Sequence, residues 1–122
     1  MPTRPRILVV DDDAPILMLM RNLLREFGFE PVSAQSGQEA LEEARRTPPD
    51  LILLDRNMPG MNGDEVLEQI RSSGEFDGLP VLIVSGEPLD PSEVERIGAT
   101  AAVLKPFDVP SLVRTIRAHV SS

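Results

Sequence analysis

The 122-residue sequence contains no cysteine, an absence that removes disulfide frameworks, thiolate zinc sites, iron–sulfur clusters and cysteine nucleophiles together. Histidine is almost missing: His119 stands alone, so neither a histidine metal cluster nor a Ser-His-Asp triad can be assembled. Positive charge is scarce as well, with 12 Lys+Arg against 20 Asp+Glu and a net charge of −8. Surfaces that grip nucleic acid or an anionic membrane need the opposite balance, so direct binding of either is not expected. No apolar run approaches the ~20 residues required to cross a bilayer, and the N-terminus shows no signal-peptide apolar segment. The glycine loops of nucleotide- and flavin-binding folds are missing too. Neither G-x-G-x-x-G nor G-x-x-x-x-G-K-[ST] follows the first apolar run, where acids stand instead. Hydrophobic residues nevertheless make up 41% of the chain, enough for a core. The expectation is one acidic, cytoplasmic domain over residues 1–122, with its chemistry resting on Asp, Glu, Ser, Thr, Lys or Arg.

Four apolar runs organise the chain: Ile7–Val10, Leu51–Leu54, Val81–Val84 and Ala101–Leu104. They are continuous rather than alternating, as expected of strands covered on both faces in a parallel sheet. A weaker run from Phe29 to Ala34 contains Pro31, which removes a ladder donor and assigns that strand to a sheet edge. Between the runs lie segments of helical period. Ile16, Met20, Leu23 and Phe27 mark a stripe entered through Pro15. Ser36 and Glu39 have capping-box spacing before Leu41 and Ala44. Val66, Leu67 and Ile70 follow Gly63, and Asp90-Pro91-Ser92-Glu93 opens a short fourth helix that Gly98 stops. Leu112, Ile116 and Val120 belong to a last helix opened by Asp108 and Pro110. The order βαβαβαβαβα is that of an α/β domain with right-handed crossovers.

The chemistry collects where the runs end. The first runs into Asp11-Asp12-Asp13, the second into Asp55, the third into Ser85 and the fourth into Lys105. In a parallel sheet these C-terminal ends share one edge, where open α/β folds bind their ligands. Taken one at a time, Asp55 reads as a turn residue, Ser85 as a loop hydroxyl and Lys105 as a surface lysine. Four such coincidences at strand ends favour a shared pocket. Two carboxylates about 4 Å apart repel by roughly 4 kcal/mol at an effective dielectric near 20, so the cluster must raise its pKa values or take a cation. All-oxygen ligands suit Mg²⁺, with Mn²⁺ as the alternative. Such a pocket suits a phosphoryl group, and one of its carboxylates can serve as the nucleophile that forms an acyl phosphate. Asp13 reads as a helix N-cap, His119 as a helix C-terminal residue favourable to the macrodipole, and Met58, Pro59 and Met61 as loop packing.

Four segments in order, Val10-Asp11-Asp12, Asp55-Arg56-Asn57-Met58-Pro59-Gly60-Met61-Asn62-Gly63, Val84-Ser85-Gly86 and Lys105-Pro106-Phe107, carry a strong resemblance. Together they resemble the receiver domain of bacterial two-component response regulators, of the chemotaxis-regulator type, over essentially the whole chain. The resemblance implies a flavodoxin-like (βα)5 doubly wound fold, five parallel strands in the order 2-1-3-4-5 with helices on both faces. It implies that Asp55 accepts a phosphoryl group from a phosphohistidine on a sensor histidine kinase or a histidine phosphotransfer protein. It further implies Mg²⁺ held by Asp12, Asp55 and the backbone carbonyl of Asn57, with Asp11 acting through water. Ser85 and Lys105 would hold the phosphoryl oxygens, and the Lys105-Pro106 bond would be cis. Gly86 would leave room for donor or water, and Asn57 and Glu87 would tune the lifetime of the aspartyl phosphate. The domain would catalyse only its own phosphorylation and dephosphorylation, and would act as a switch through contact with a downstream protein. A stand-alone regulator and one part of a longer protein both fit these residues.

One departure is plain. Receivers usually carry Tyr or Phe three residues before the lysine, and here that position is Ala102. Alanine has no rotamer to switch, so the usual aromatic coupling to an output surface is unavailable. Pro88 and Pro91 shorten the fourth helix to Pro91–Ile97, roughly two turns. An intact pocket with an altered output surface is the expectation; a receiver fold acting by contact alone, independent of phosphate, is the competing one.

Overall fold

The apolar runs become strands of a single parallel sheet in a computed structural model that describes residues 4–120. The strands are β1 (Arg6–Val10), β2 (Glu30–Ala34), β3 (Leu51–Asp55), β4 (Val81–Ser85) and β5 (Ala101–Leu104), and the sheet order is 2-1-3-4-5. Helices α1 (Ala14–Glu26), α2 (Gly37–Arg46), α3 (Gly63–Ser72), α4 (Pro91–Ile97) and α5 (Val109–His119) alternate with them. The fold is the doubly wound α/β arrangement, with β2 and its Pro31 at an edge.

Two apolar layers cover the sheet. Ile7, Val9, Leu51, Leu53 and Leu82 pack against α1 and α5, while Leu8, Ile52, Leu54, Val81 and Ile83 pack against α2 and α3. The alternation follows from the pleat: successive side chains point to opposite faces, and β3 and β4 are buried along their whole length. Removing one of these buried aliphatic side chains down to alanine typically costs about 2–5 kcal/mol.

Local chemistry sets the helix boundaries. The Asp13, Ser36, Asp90 and Asp108 side chains accept backbone N–H groups of the first turns of α1, α2, α4 and α5. A complete reciprocal capping box forms at Asn62 and Glu65 on α3, a pair the sequence pattern did not single out. Gly98 closes α4 at φ 86°, a left-handed conformation that favours glycine.

Three expectations need correction. The buried stripe of α1 is Leu17, Met20 and Leu24, and Ile16 is exposed. The run Ile16–Met20 is apolar on more than one face, so periodicity alone could not register it. On α5 the buried residues are Leu112, Val113 and Ile116, while Val120 is the half-buried residue that ends the helix. Strand β5 is not covered on both faces. Ala101 and Val103 pack on the α1/α5 layer, whereas Ala102 and Leu104 are exposed.

Candidate functional site

Strand register brings the polar strand ends to one edge. Val10 pairs with Leu54, Asp55 with Val84 and Ser85 with Leu104, so Asp11, Asp55, Ser85 and Lys105 follow the sheet's C-terminal rim in adjacent positions. Carboxylate oxygens of Asp11, Asp12 and Asp55 lie within 4.8 Å of one another. Asp11 and Asp55 are buried and Asp12 is exposed, which gives the cluster a floor and a solvent-facing side.

Asp55 is only 6% exposed and is oriented from two directions. Lys105 Nζ donates to its Oδ1 at 3.2 Å and the Asn57 backbone N–H donates to the same oxygen at 3.3 Å. Among the described residues Oδ2 has no protein donor, so one carboxylate oxygen is free for an incoming group. Lys105 is the chain's single lysine, among 12 basic residues in all, and follows β5 on the cis Lys105-Pro106 bond. Its uniqueness is a compositional signal that could have marked it from the sequence alone.

Asp11 accepts the Asp13 N–H at 3.0 Å. Burial pushes its carboxyl above the ordinary 3.8, and repulsion from Asp55 and Asp12 adds to that, against the Asp13 hydrogen bond and the charge on Lys105. Three oxygens of like charge at this spacing, one of them buried at an electrostatic cost, fit a hard divalent cation.

Ser85 is buried at the same rim, and its hydroxyl is engaged by the backbone of the loop that follows. It donates to the Glu87 carbonyl at 2.8 Å and accepts the Glu87 N–H at 3.1 Å. Ser85 therefore stands at the rim, where the sequence places it, with both of its hydrogen bonds made to the following loop. Gly86 faces open space, where a β-carbon would meet nothing within 4 Å. Asn57 and Glu87 are exposed and line an open polar cleft of about 420 Å³ together with Ser85.

The β3–α3 loop that carries Asn57 is tightly closed. Gly63 N–H donates to the Arg56 carbonyl at 2.9 Å. A β-carbon at Gly63 would fall 2.6 Å from the Asp55 carbonyl oxygen and 2.7 Å from Arg56 Cα. Met58 is buried against the α2/α3 layer and Met61 packs beside it, as loop packing. His119 lies at the end of α5 with Nδ1 2.8 Å from the Thr115 carbonyl, remote from the rim.

Two features have no counterpart among the sequence expectations. The first is an apolar groove of about 560 Å³ between α1 and the β5–α5 connection, walled by Ile16, Leu19, Leu23, Pro106 and Phe107 with Asp55 and Lys105 at its base. Its signal was the same Ile16–Met20 run that blurred the α1 stripe. The second is Arg56, whose guanidinium clasps both carboxylate oxygens of Asp64 at 3.0 and 3.2 Å and Glu93 at 3.0 Å. The Asp64 hydrogen bonds, then those to Glu93, hold Arg56 above its already high pKa. Contacts across 37 residues of separation leave no pattern in a single sequence.

Residues 7–117 match the family model of the response regulator receiver domain. The polar-differentiation response regulator DivK of Brucella ovis is 32% identical over 116 residues, covering 93% of this chain and 94% of that protein. Among solved structures, the chemotaxis response regulator CheY4 of Vibrio cholerae is 31% identical with a TM-score of 0.89, covering 97% of this chain and 100% of that one. The N-terminal domain of a response regulator receiver protein from Methanoculleus marisnigri JR1 is 37% identical with a TM-score of 0.78, covering 97% and 98%.

Proposed function

Because the chain belongs to the response regulator receiver family, a signalling domain of two-component systems, we propose that Asp55 is its phosphoacceptor and that residues 1–122 act as one phosphorylation-controlled switch. The observation that carries this reading is the buried Asp55 carboxylate, held through Oδ1 by Lys105 and the Asn57 N–H with Oδ2 left open.

In the proposed reaction the free Asp55 oxygen attacks phosphorus on the side opposite the donor nitrogen. The P–N bond to the donor histidine breaks, the departing nitrogen takes up a proton, and a mixed anhydride forms on Asp55. Lys105 neutralises the oxygens that gather charge, which is the largest service a protein group can offer such a transition state. Asp12, Asp55 and the Asn57 carbonyl would hold Mg²⁺, with Asp11 acting through water, and the ion's contribution when bound is to screen phosphoryl charge. Gly86 leaves the approach open, and Asn57 and Glu87, which line the open cleft beside Ser85, would steer an attacking water during dephosphorylation. Nothing beyond its own phosphoryl group is turned over.

The phosphohistidine-bearing partner, a sensor kinase or a phosphotransfer protein, would seat on the apolar groove. Ile16 and Leu19, 41% and 57% exposed, line that groove together with Asp55 and give a partner helix an apolar footing. Among the described residues no helix is long and apolar enough to cross a membrane, and a cytoplasmic site of action fits the proposal. Phosphoramidate, whose P–N bond mimics phosphohistidine, tests the chemistry. The phosphorylated product should lose its phosphate to hydroxylamine, as an acyl phosphate does. A hydroxylamine-resistant adduct would assign the phosphate to a hydroxyl instead and overturn Asp55.

A further inference from the structure

Helix α4 is held to the protein differently from the other helices. None of its seven residues is buried, and the apolar contacts around it come from half-buried Leu89, Ile97 and Ala99 at its ends. Its firm attachments are two arginines of neighbouring elements. At the C-terminal end, Arg71 Nε of α3 donates to the Gly98 carbonyl at 2.9 Å. At the N-terminal end, Arg56 donates to Glu93 at 3.0 Å while holding Asp64 of α3 with the same guanidinium. Arg96 also approaches Glu93, at 3.6 Å, but from α4 itself and largely in solvent.

Arg56 directly follows Asp55. Its N–H donates to the Val84 carbonyl and its own carbonyl accepts from Gly63, both at 2.9 Å, so its backbone is fixed and only the guanidinium can change partners. The segment 86–90 therefore runs between two anchors. At the near end Ser85 is bonded to the backbone of Glu87, and at the far end Glu93 is held by Arg56. For the Ser85 hydroxyl to bond a group on Asp55 it must release both Glu87 bonds, and that frees the segment leading into α4 from its near anchor. Ala102 has no side chain that could follow such a movement, which leaves the segment itself as the route from pocket to helix.

We propose that the Arg56–Glu93 pair is a latch. It holds α4 in place while Ser85 is turned to Glu87, and it opens when Ser85 turns to a phosphorylated Asp55. Arg56 touches no reacting atom, so it is a positioning residue acting through Glu93. The latch rests on the reading of Asp55 as phosphoacceptor.

Hydrogen–deuterium exchange of the full chain tests it, with Mg²⁺ present, before and after phosphoramidate, and with intact mass measured on the same samples. In the wild type, amides of 91–97 should exchange faster once phosphate is on the protein. In Glu93→Gln they should exchange about two- to fivefold faster without the donor, the range expected for loss of one partly exposed ion pair, and change little when it is added. Glu93→Asp, which keeps the charge, should recover the dependence on phosphate; a residue that merely stabilised α4 would not abolish that dependence. Normal phosphate uptake with an α4 response in Glu93→Gln equal to that of the wild type overturns the latch alone. A wild type that takes no phosphate overturns the Asp55 reading and the latch with it.

Discussion

Lys105 Nζ stands 3.2 Å from Asp55 Oδ1, joining residues 50 apart in sequence through the register of β3, β4 and β5. The lysine is partly exposed and the carboxylate is buried, so the ammonium presents its charge to the acid from the solvent side. Replacing it by methionine keeps the stem and removes the charge. Lys105→Met should slow phosphate uptake from a small donor at least about tenfold, in line with the loss of one donor to developing charge. It should not weaken Mg²⁺ binding, because a competing cation leaves the pocket. A time course of uptake checks the first point; equal rates would contradict it.

Asp11 gives the pH dependence. Its folded pKa lies above the ordinary 3.8, chiefly through burial, so between those two values the folded chain holds a proton that the unfolded chain has released. Its contribution to stability therefore falls as pH rises from 3.8 through the folded value, and returns as pH is lowered again. Without metal at neutral pH, Asp11→Asn should stabilise the fold by about 1 kcal/mol, through relief of burial and repulsion. The same variant should lose most of the stabilisation that Mg²⁺ gives the wild type. Melting curves at neutral pH with Mg²⁺ and with chelator separate the two effects, and a chelated variant that melts below the wild type would contradict this role for Asp11.

Gly63 keeps the β3–α3 loop closed by having no side chain. A methyl group there meets the Asp55 carbonyl oxygen and Arg56 Cα, both backbone atoms that cannot step aside cheaply. Gly63→Ala should cost about 1–3 kcal/mol in denaturant unfolding. Because the same loop carries the Asn57 carbonyl, Mg²⁺ binding should weaken in parallel. A variant as stable as the wild type would show that the loop is slack.

Ala102 is exposed on the face of β5 opposite Ala101 and Val103. Ala102→Phe should therefore be accommodated, with stability within about 0.5 kcal/mol of the wild type. A much larger loss would mean that the face is covered after all.

These positions also show how far one sequence can be read. The buried strands β1, β3 and β4 were legible because a continuous apolar run of four residues between turn signals fits a strand covered on both faces. The acids, serine and lysine were legible because a parallel sheet sends every strand end to one rim. The caps at Asp13, Ser36, Asp90 and Asp108 followed from local chemistry alone. Strand β5 misled because a short apolar edge strand reads like a buried one, although only one of its faces packs on the core. Helix α1 misled because Ile16–Met20 serves two surfaces, the core and the groove. The orientation of the Ser85 hydroxyl and the Arg56 network were beyond reach, since both are set by partners that sequence spacing does not announce.

The central claim is that Asp55 carries the phosphate, and intact-protein mass spectrometry after acetyl phosphate tests it most directly, on wild type and Asp55→Asn, with and without Mg²⁺. A phosphoacceptor Asp55 predicts a single phosphate adduct on the wild type that requires Mg²⁺ and is absent from Asp55→Asn. An adduct of equal yield on the variant, or one indifferent to Mg²⁺, would contradict it.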